Sequence, residues 1–235
     1  MNIALCYSGQ VRHFNECYPT QLKHLVECNP EHTFYIFGHF WSDASQDGKK
    51  FLEKHPERDN WSIKNNCEIL SKNFDSVLFD MPMQFSSDME PDPRFPHPMQ
   101  NTLSMFFGIQ TVNAVKTQFS VTRQMTFDCV VRLRTDLFFY KNIIFSDKQY
   151  DLNTKCYLND QYVHTEYAVN DLFAFSSSDV MDKYCSVYSN IPGLVENGCA
   201  INPECFLGAN LNAHKVSVNK IPLQNHIFSL YRDIK

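Results

Sequence analysis

The sequence has no run of lysines and arginines, no C-x-x-C pair, and no apolar stretch near the roughly 20 residues a membrane-crossing helix needs. Each absence excludes a class. Lys and Arg total 21 against 26 Asp and Glu, a formal net charge of −5, so no nucleic-acid partner is expected. No membrane span is expected either. The nine cysteines are scattered without paired spacing, which argues against structural zinc. Cys6 and Cys129 lie in apolar runs, where a reduced thiol behaves as a small hydrophobe. A Walker phosphate loop and a G-x-G-x-x-G fingerprint are also missing. The opening residues, MNIALCYSGQVRHF, lack a basic stretch followed by an apolar one, so they read as a first strand rather than a secretory signal. With the odd cysteine count, this leads to the expectation of a reducing, cytoplasmic setting.

What is present is apolar and aromatic: 43% hydrophobic residues, with 20 Phe and 11 Tyr, exclude a disordered chain. Strands are expected at 3–7, 32–41 and 76–80, with helices at 19–28 and 61–73 between them. Pro19 is placed near the start of the first helix. The segment 81–98 holds five prolines and reads as a loop, ordered through Phe85 and Phe95. Leu103, Phe106, Phe107, Ile109 and Val112 predict a helix from Met99 to about Gln118. One strand is expected over 127–139, then strands at 156–160 and 171–176 and a helix from Ser178 to about Tyr188. Residues 204–218 read as helix then strand. This alternation predicts an α/β fold with a mostly parallel central sheet flanked by helices, in one domain spanning 1–235. Residues 1–140 form its ligand-binding half and 141–235 a smaller second part.

The stretch FDCVVRLRTDLFF, Phe127 to Phe139, carries three charges inside an apolar run. In an extended chain Arg132, Arg134 and Asp136 share one face, and Cys129, Val131, Leu133 and Leu137 share the other. A buried guanidinium or carboxylate needs a partner, a ligand or a metal. Arg134 and Asp136 pairing with each other at a sheet edge is one reading. The other is a cleft in which Asp136 holds a divalent cation through oxygen while the arginines face phosphate. Ser8-Gly9-Gln10 ends the first strand, and ligands of parallel sheets bind at such carboxyl ends. Both segments are therefore expected around one crevice.

IALCYSGQVR, YIFGHFW, SMFFGIQTVN and VVRLRTDLFF, in this order, together with VNDLFAFSSSDVMDKY and NPECFLGANL, resemble nucleotide-sugar-dependent glycosyltransferases of the GT-A fold. More narrowly, they resemble a small viral and microbial group with S-G-Q-x-R after the first strand and R-x-D as metal motif. The resemblance runs through most of the chain. It implies a Rossmann-like sheet, a UDP- or GDP-sugar as donor, a glycan acceptor, and Mn²⁺ or Mg²⁺ on the donor diphosphate. Carried over, Ser8, Gly9, Gln10 and Arg12 border the nucleotide, and Arg132 and Arg134 face the diphosphate. Asn101 and Ser104 are lent from the helix. Asp136 holds the metal, with His214 or His226 as a late ligand. The chain departs from the common D-x-D at its first position, where Arg134 stands.

Transfer in the inverting direction needs a carboxylate to take the acceptor's proton. Asp171 is the first candidate, with Asp160 and Glu204 behind it. Trp41 and Trp61 could stack on sugar or base, with Trp41 read foremost as core. Two other readings stay open: a non-catalytic nucleotide-sugar or sugar-binding module of the same fold, and a sugar nucleotidyltransferase.

Overall fold

The computed structural model describes residues 1–41, 70–80, 83, 85, 89, 98–159, 168–221, 227–231 and 234. The calls on His226, Asp160, Trp61, Phe95 and residues 61–69 lie outside them. The chain begins with β1 (Asn2–Gly9), α1 (Phe14–Gln21), β2 (Thr33–Trp41) and β3 (Ser76–Asp80). The long helix α2 (Met99–Arg123) precedes β4 (Cys129–Leu133), β5 (Leu137–Phe139) and β6 (Lys155–Asn159). Then come β7 (Ala174–Ser176), α3 (Ser178–Cys185), α4 (Val187–Glu196), α5 (Pro203–Ala213), β8 (Ser217–Ile221) and β9 (Phe228–Leu230).

Seven strands form one sheet in the order β3-β2-β1-β4-β7-β6-β8. Strands β3, β2, β1 and β4 run parallel, and β7 alone is reversed against both its neighbours. The period-two pattern of β1 explains why both faces of this sheet are covered. Ile3, Leu5 and Tyr7 join a core under α1 and the small β5–β9 sheet, while Ala4 and Cys6 join a second core under α2 to α5. The molecule is therefore α/β, with a mostly parallel central sheet flanked by helices.

Two elements differ from the sequence expectation. The first helix starts at Phe14, because Phe14, Cys17, Tyr18 and Gln21 already form its buried stripe. Pro19 lies inside it rather than at its start; it cannot donate to the preceding turn, and the helix continues in a wider, π-type winding over Leu22–Glu27. The apolar run 127–139 is two strands, not one. It leaves the central sheet after Leu133, and β5 pairs antiparallel with β9 instead. Of the proline-rich segment, Phe85 is tied to α2: its amide donates to Gln100 Oε1 at 2.7 Å.

In the sheet order, β1 lies between β2 and β4, so successive connections leave it in opposite directions. The carboxyl ends of β1 and β4 thus flank a topological switch point, where a crevice opens outside the sheet.

Candidate functional site

A cavity of about 530 Å³ occupies that crevice, within the roughly 300–1,000 Å³ usual for small-molecule sites. Ser8, Gly9, Gln10 and Arg12 from the β1 loop line it, with Arg132, Arg134, Thr135 and Asp136 from β4 and its end. Asn101, Thr102, Ser104 and Met105 come from the first turns of α2; Asn101, Ser104 and Met105 share one helix face. The residue one turn further on that face is Gly108. A Cβ there would lie 3.2 Å from His39 Nδ1 and 3.6 Å from Ser8 Cβ, so the glycine lets α2 approach the end of β1.

Asp171 reaches the same cavity because β7 is reversed. Its amino end, preceded by Asn170-Asp171, falls at the edge where β1 and β4 have their carboxyl ends. Asn170 Oδ1 accepts from the Leu172 amide at 2.8 Å, which fixes the turn before the strand. Glu204 arrives with the start of α5, whose N-cap Asn202 accepts from the Glu204 amide at 3.0 Å. The Glu204 carbonyl in turn accepts from the Val169 amide at 3.1 Å, tying the two segments together.

The β1 and β4 loops are joined directly. Thr135 Oγ1 donates to the Gln10 carbonyl at 2.9 Å and accepts from the Arg12 amide at 3.1 Å. Gly9 adopts φ +117°, a backbone conformation that side chains strongly disfavour, so glycine is required for the loop to turn here. Arg12 Nε donates to Gln10 Oε1 at 2.8 Å, and its Nη2 donates to the same oxygen.

Where β4 ends, Arg134 and Asp136 form a two-pronged pair, Nε to Oδ1 at 2.8 Å and Nη2 to Oδ2 at 2.7 Å. Burial raises the Asp136 carboxyl, but the Arg134 guanidinium and its hydrogen bonds outweigh it and hold the group below its ordinary range. Burial likewise pulls Arg134 down; the charge of Asp136, with a smaller contribution from Asp171, more than reverses it.

Arg132 is different. It is 2% exposed, and its Nε and Nη1 are buried with no hydrogen-bond partner among the described residues. The neighbouring Tyr184 hydroxyl is also buried without a partner. Burial lowers the Arg132 guanidinium below its ordinary range, and Tyr184 and Asp171 offset only part of this. A guanidinium buried this deeply, with two unmet donors among the described residues, is a stressed group at the edge of the cavity.

The two expected metal ligands are not brought together. His214 sits exposed at the C-cap of α5, 3.4 Å from Ser186 Oγ and Asn190 Nδ2, and does not line the cavity. Asp136 already accepts from Arg134 through both oxygens. Among the described residues, no group of three His, Cys, Asp or Glu could hold a metal ion. Among the described residues, Asp136 and His214 therefore do not form a metal centre together.

Trp41 is half-buried and lines the cavity, stacked on Phe107 at 5.7 Å and 25°, so it belongs to the wall as well as to the aromatic packing beside it. Sequence reasoning missed Gln21. Fully buried in α1, its Nε2 donates to the Leu137 carbonyl at 2.7 Å and the Arg134 carbonyl at 3.2 Å, and its Oε1 accepts from Tyr7 Oη at 2.9 Å. That amide meets the carbonyls on both sides of the strand break. The available signal was a glutamine in register with Phe14, Cys17 and Tyr18 on an otherwise apolar stripe.

No protein-family model matches the chain, and no curated protein matches it. Among the described residues, no helix is long and apolar enough to cross a membrane.

Proposed function

We propose that the protein is a glycosyltransferase of GT-A type that moves a sugar from a nucleotide-diphosphate sugar to a carbohydrate acceptor. The observation that carries this reading is Arg132: a guanidinium with unmet donors, buried beside a cavity at the switch point of a mostly parallel sheet. A cavity of this position and size suits a nucleotide, and the glycine at φ +117° leaves the β1 loop backbone open to close approach by one.

The chemistry divides between two sets of side chains. The bond from the anomeric carbon to the diphosphate oxygen breaks with its electron pair going to the diphosphate. Arg132, Arg134 and Arg12 stabilise that developing charge as preorganised donors. The acceptor hydroxyl attacks the anomeric carbon, and its proton passes to a carboxylate. Asp171, 8% exposed on the cavity wall, takes that role, with Glu204 beside the same opening. Ser8, Gln10, Asn101 and Ser104 offer hydrogen bonds to ribose, base or sugar hydroxyls, and the Trp41 ring offers a stacking face.

A panel of UDP- and GDP-sugars tests the reading. A bound donor at about 100 times its dissociation constant stabilises the fold by about 2.7 kcal/mol, visible as a raised Tm. Release of free nucleoside diphosphate then separates an enzyme from a binding module. A panel in which no nucleotide sugar shifts the Tm refutes the reading.

A further inference from the structure

We propose that the Arg134 guanidinium stands in for a divalent cation, so that the cavity binds the diphosphate of its ligand without a metal ion. The inference rests on the glycosyltransferase reading for the identity of the ligand, but its own ground is the geometry at the end of β4.

An ionised carboxylate is the one protein group in the R-x-D segment that a hard cation would choose. Both Asp136 oxygens are engaged by Arg134, in the planar two-pronged arrangement that gives the strongest guanidinium–carboxylate hydrogen bonds. The pair is sheltered, with 23% of the Arg134 side chain and 8% of the Asp136 side chain exposed. A dication arriving at Asp136 would have to share the carboxylate with Arg134, which already occupies one lone-pair site on each oxygen. The guanidinium and the dication would then lie side by side on one carboxylate, at a like-charge cost. The two cations exclude each other at short range.

Arg134 also feels the charge of Asp171, besides that of Asp136. Arg12 and Arg132 stand on the same wall, so the diphosphate would meet three planar donors. Asp136 then acts as a positioning residue: it holds the Arg134 fork in one orientation and contributes nothing to a metal. The same wall carries Asp171 and Glu204, which are left for the acceptor.

The experiment is calorimetric titration of the full chain with UDP, GDP and inorganic pyrophosphate, in EDTA and in excess MnCl₂. Affinity for the probe that binds is expected to differ by less than about threefold between the two conditions. A Mn²⁺ enhancement of about threefold or more overturns the proposal and leaves the glycosyltransferase reading intact. Binding of pyrophosphate in EDTA, with neither UDP nor GDP bound in either condition, upholds the cation argument and refutes the glycosyltransferase reading. Binding of no probe in either condition refutes both. A second measurement does not depend on the nucleotide. Mn²⁺ titrated alone, followed by its electron paramagnetic resonance, is expected to remain free with the native chain. Uptake by the native chain at the cavity, abolished by Asp136→Asn, overturns the proposal.

Discussion

The hydroxyl of Thr135 donates to the carbonyl of Gln10 across 2.9 Å, joining two loops 125 residues apart in sequence. It also accepts from the Arg12 amide, so one buried side chain sets the spacing between the β1 loop and the end of β4. Gln10, Arg12 and Thr135 all line the cavity, so this join lies in its wall.

Replacement of Thr135 by valine keeps the shape and removes both hydrogen bonds. The Gln10 carbonyl and the Arg12 amide lose this partner, which is expected to cost about 1–3 kcal/mol. For a chain of this size the Tm should fall by about 2–4 °C per kcal/mol, measured by calorimetry. Donor affinity should fall with it, since Gln10 and Arg12 would no longer be held at the same place. A variant as stable as the native chain and with full affinity would show that the join is incidental.

Arg132 predicts the opposite balance. The fold keeps a buried guanidinium whose Nε and Nη1 have no partner among the described residues, a stress on the free protein. Arg132→Met, of similar length and without charge, should stabilise the free protein by about 1–3 kcal/mol. The same change should weaken diphosphate binding by about 10- to 100-fold. Thermal melts and calorimetric titration of one preparation check both halves. A destabilised Met variant would mean that the guanidinium is satisfied within the fold.

How far the sequence announced this arrangement depends on which residues are asked. The end of β1 was legible because IALCY is an apolar run closed by Ser-Gly, and the buried strand around Val130 and Val131 was legible for the same reason. Arg132 stood out as a charge in that strand. The break after Leu133 was not legible, because LFF continues the apolar pattern past it. The carbonyls on either side of it meet Gln21, 113 residues from Arg134 and on a helix, where no local pattern could show the contact. The spacing of Arg134 and Asp136 was compatible with an ion pair and with a metal site, and only coordinates distinguish them. The reversal of β7 explains why Asp171 reaches the cavity, a matter of topology that a short apolar strand does not encode.

Gln21 can be tested for the part it plays in that break. Gln21→Leu would strip the Leu137 and Arg134 carbonyls and the Tyr7 hydroxyl of their amide partner in a region closed to water. The expected loss is about 3 kcal/mol, read from the midpoint of urea unfolding at unchanged m. A change below about 0.5 kcal/mol would show that the strand leaves the sheet for other reasons.

His39 gives the stability a defined pH dependence. Its side chain is fully buried under α2, with Nε2 3.0 Å from Asp80 Oδ2 and Nδ1 without a partner among the described residues. Burial lowers its pKa below the ordinary value, and the hydrogen bond and charge of Asp80 oppose this without cancelling it. The unfolded chain therefore takes up the proton first as pH falls. The stabilisation is complete above the unfolded pKa of about 6.5 and is lost as pH falls below it toward the folded pKa. Tm measured from about pH 7.5 down to about pH 5 should fall more steeply for the native chain than for His39→Gln. Parallel curves would show that this histidine does not carry the effect.

The last prediction separates binding from chemistry at Asp171. If this carboxylate takes the acceptor's proton, it does so only as transfer proceeds, and the bound donor gains little from its charge. Asp171→Asn keeps the size and one acceptor oxygen but cannot act as a base at neutral pH. Donor affinity in the variant should stay within about threefold of native, while kcat for transfer falls by about 10²- to 10⁴-fold. The affinity could even rise slightly, because a negative charge near Arg132 and Arg134 has been removed. Full transfer activity in Asp171→Asn would move the base elsewhere, and Glu204→Gln, on the same wall, is the comparison that would locate it. A large loss of donor affinity with unchanged kcat would instead make Asp171 a binding group, orienting the arginines rather than accepting a proton.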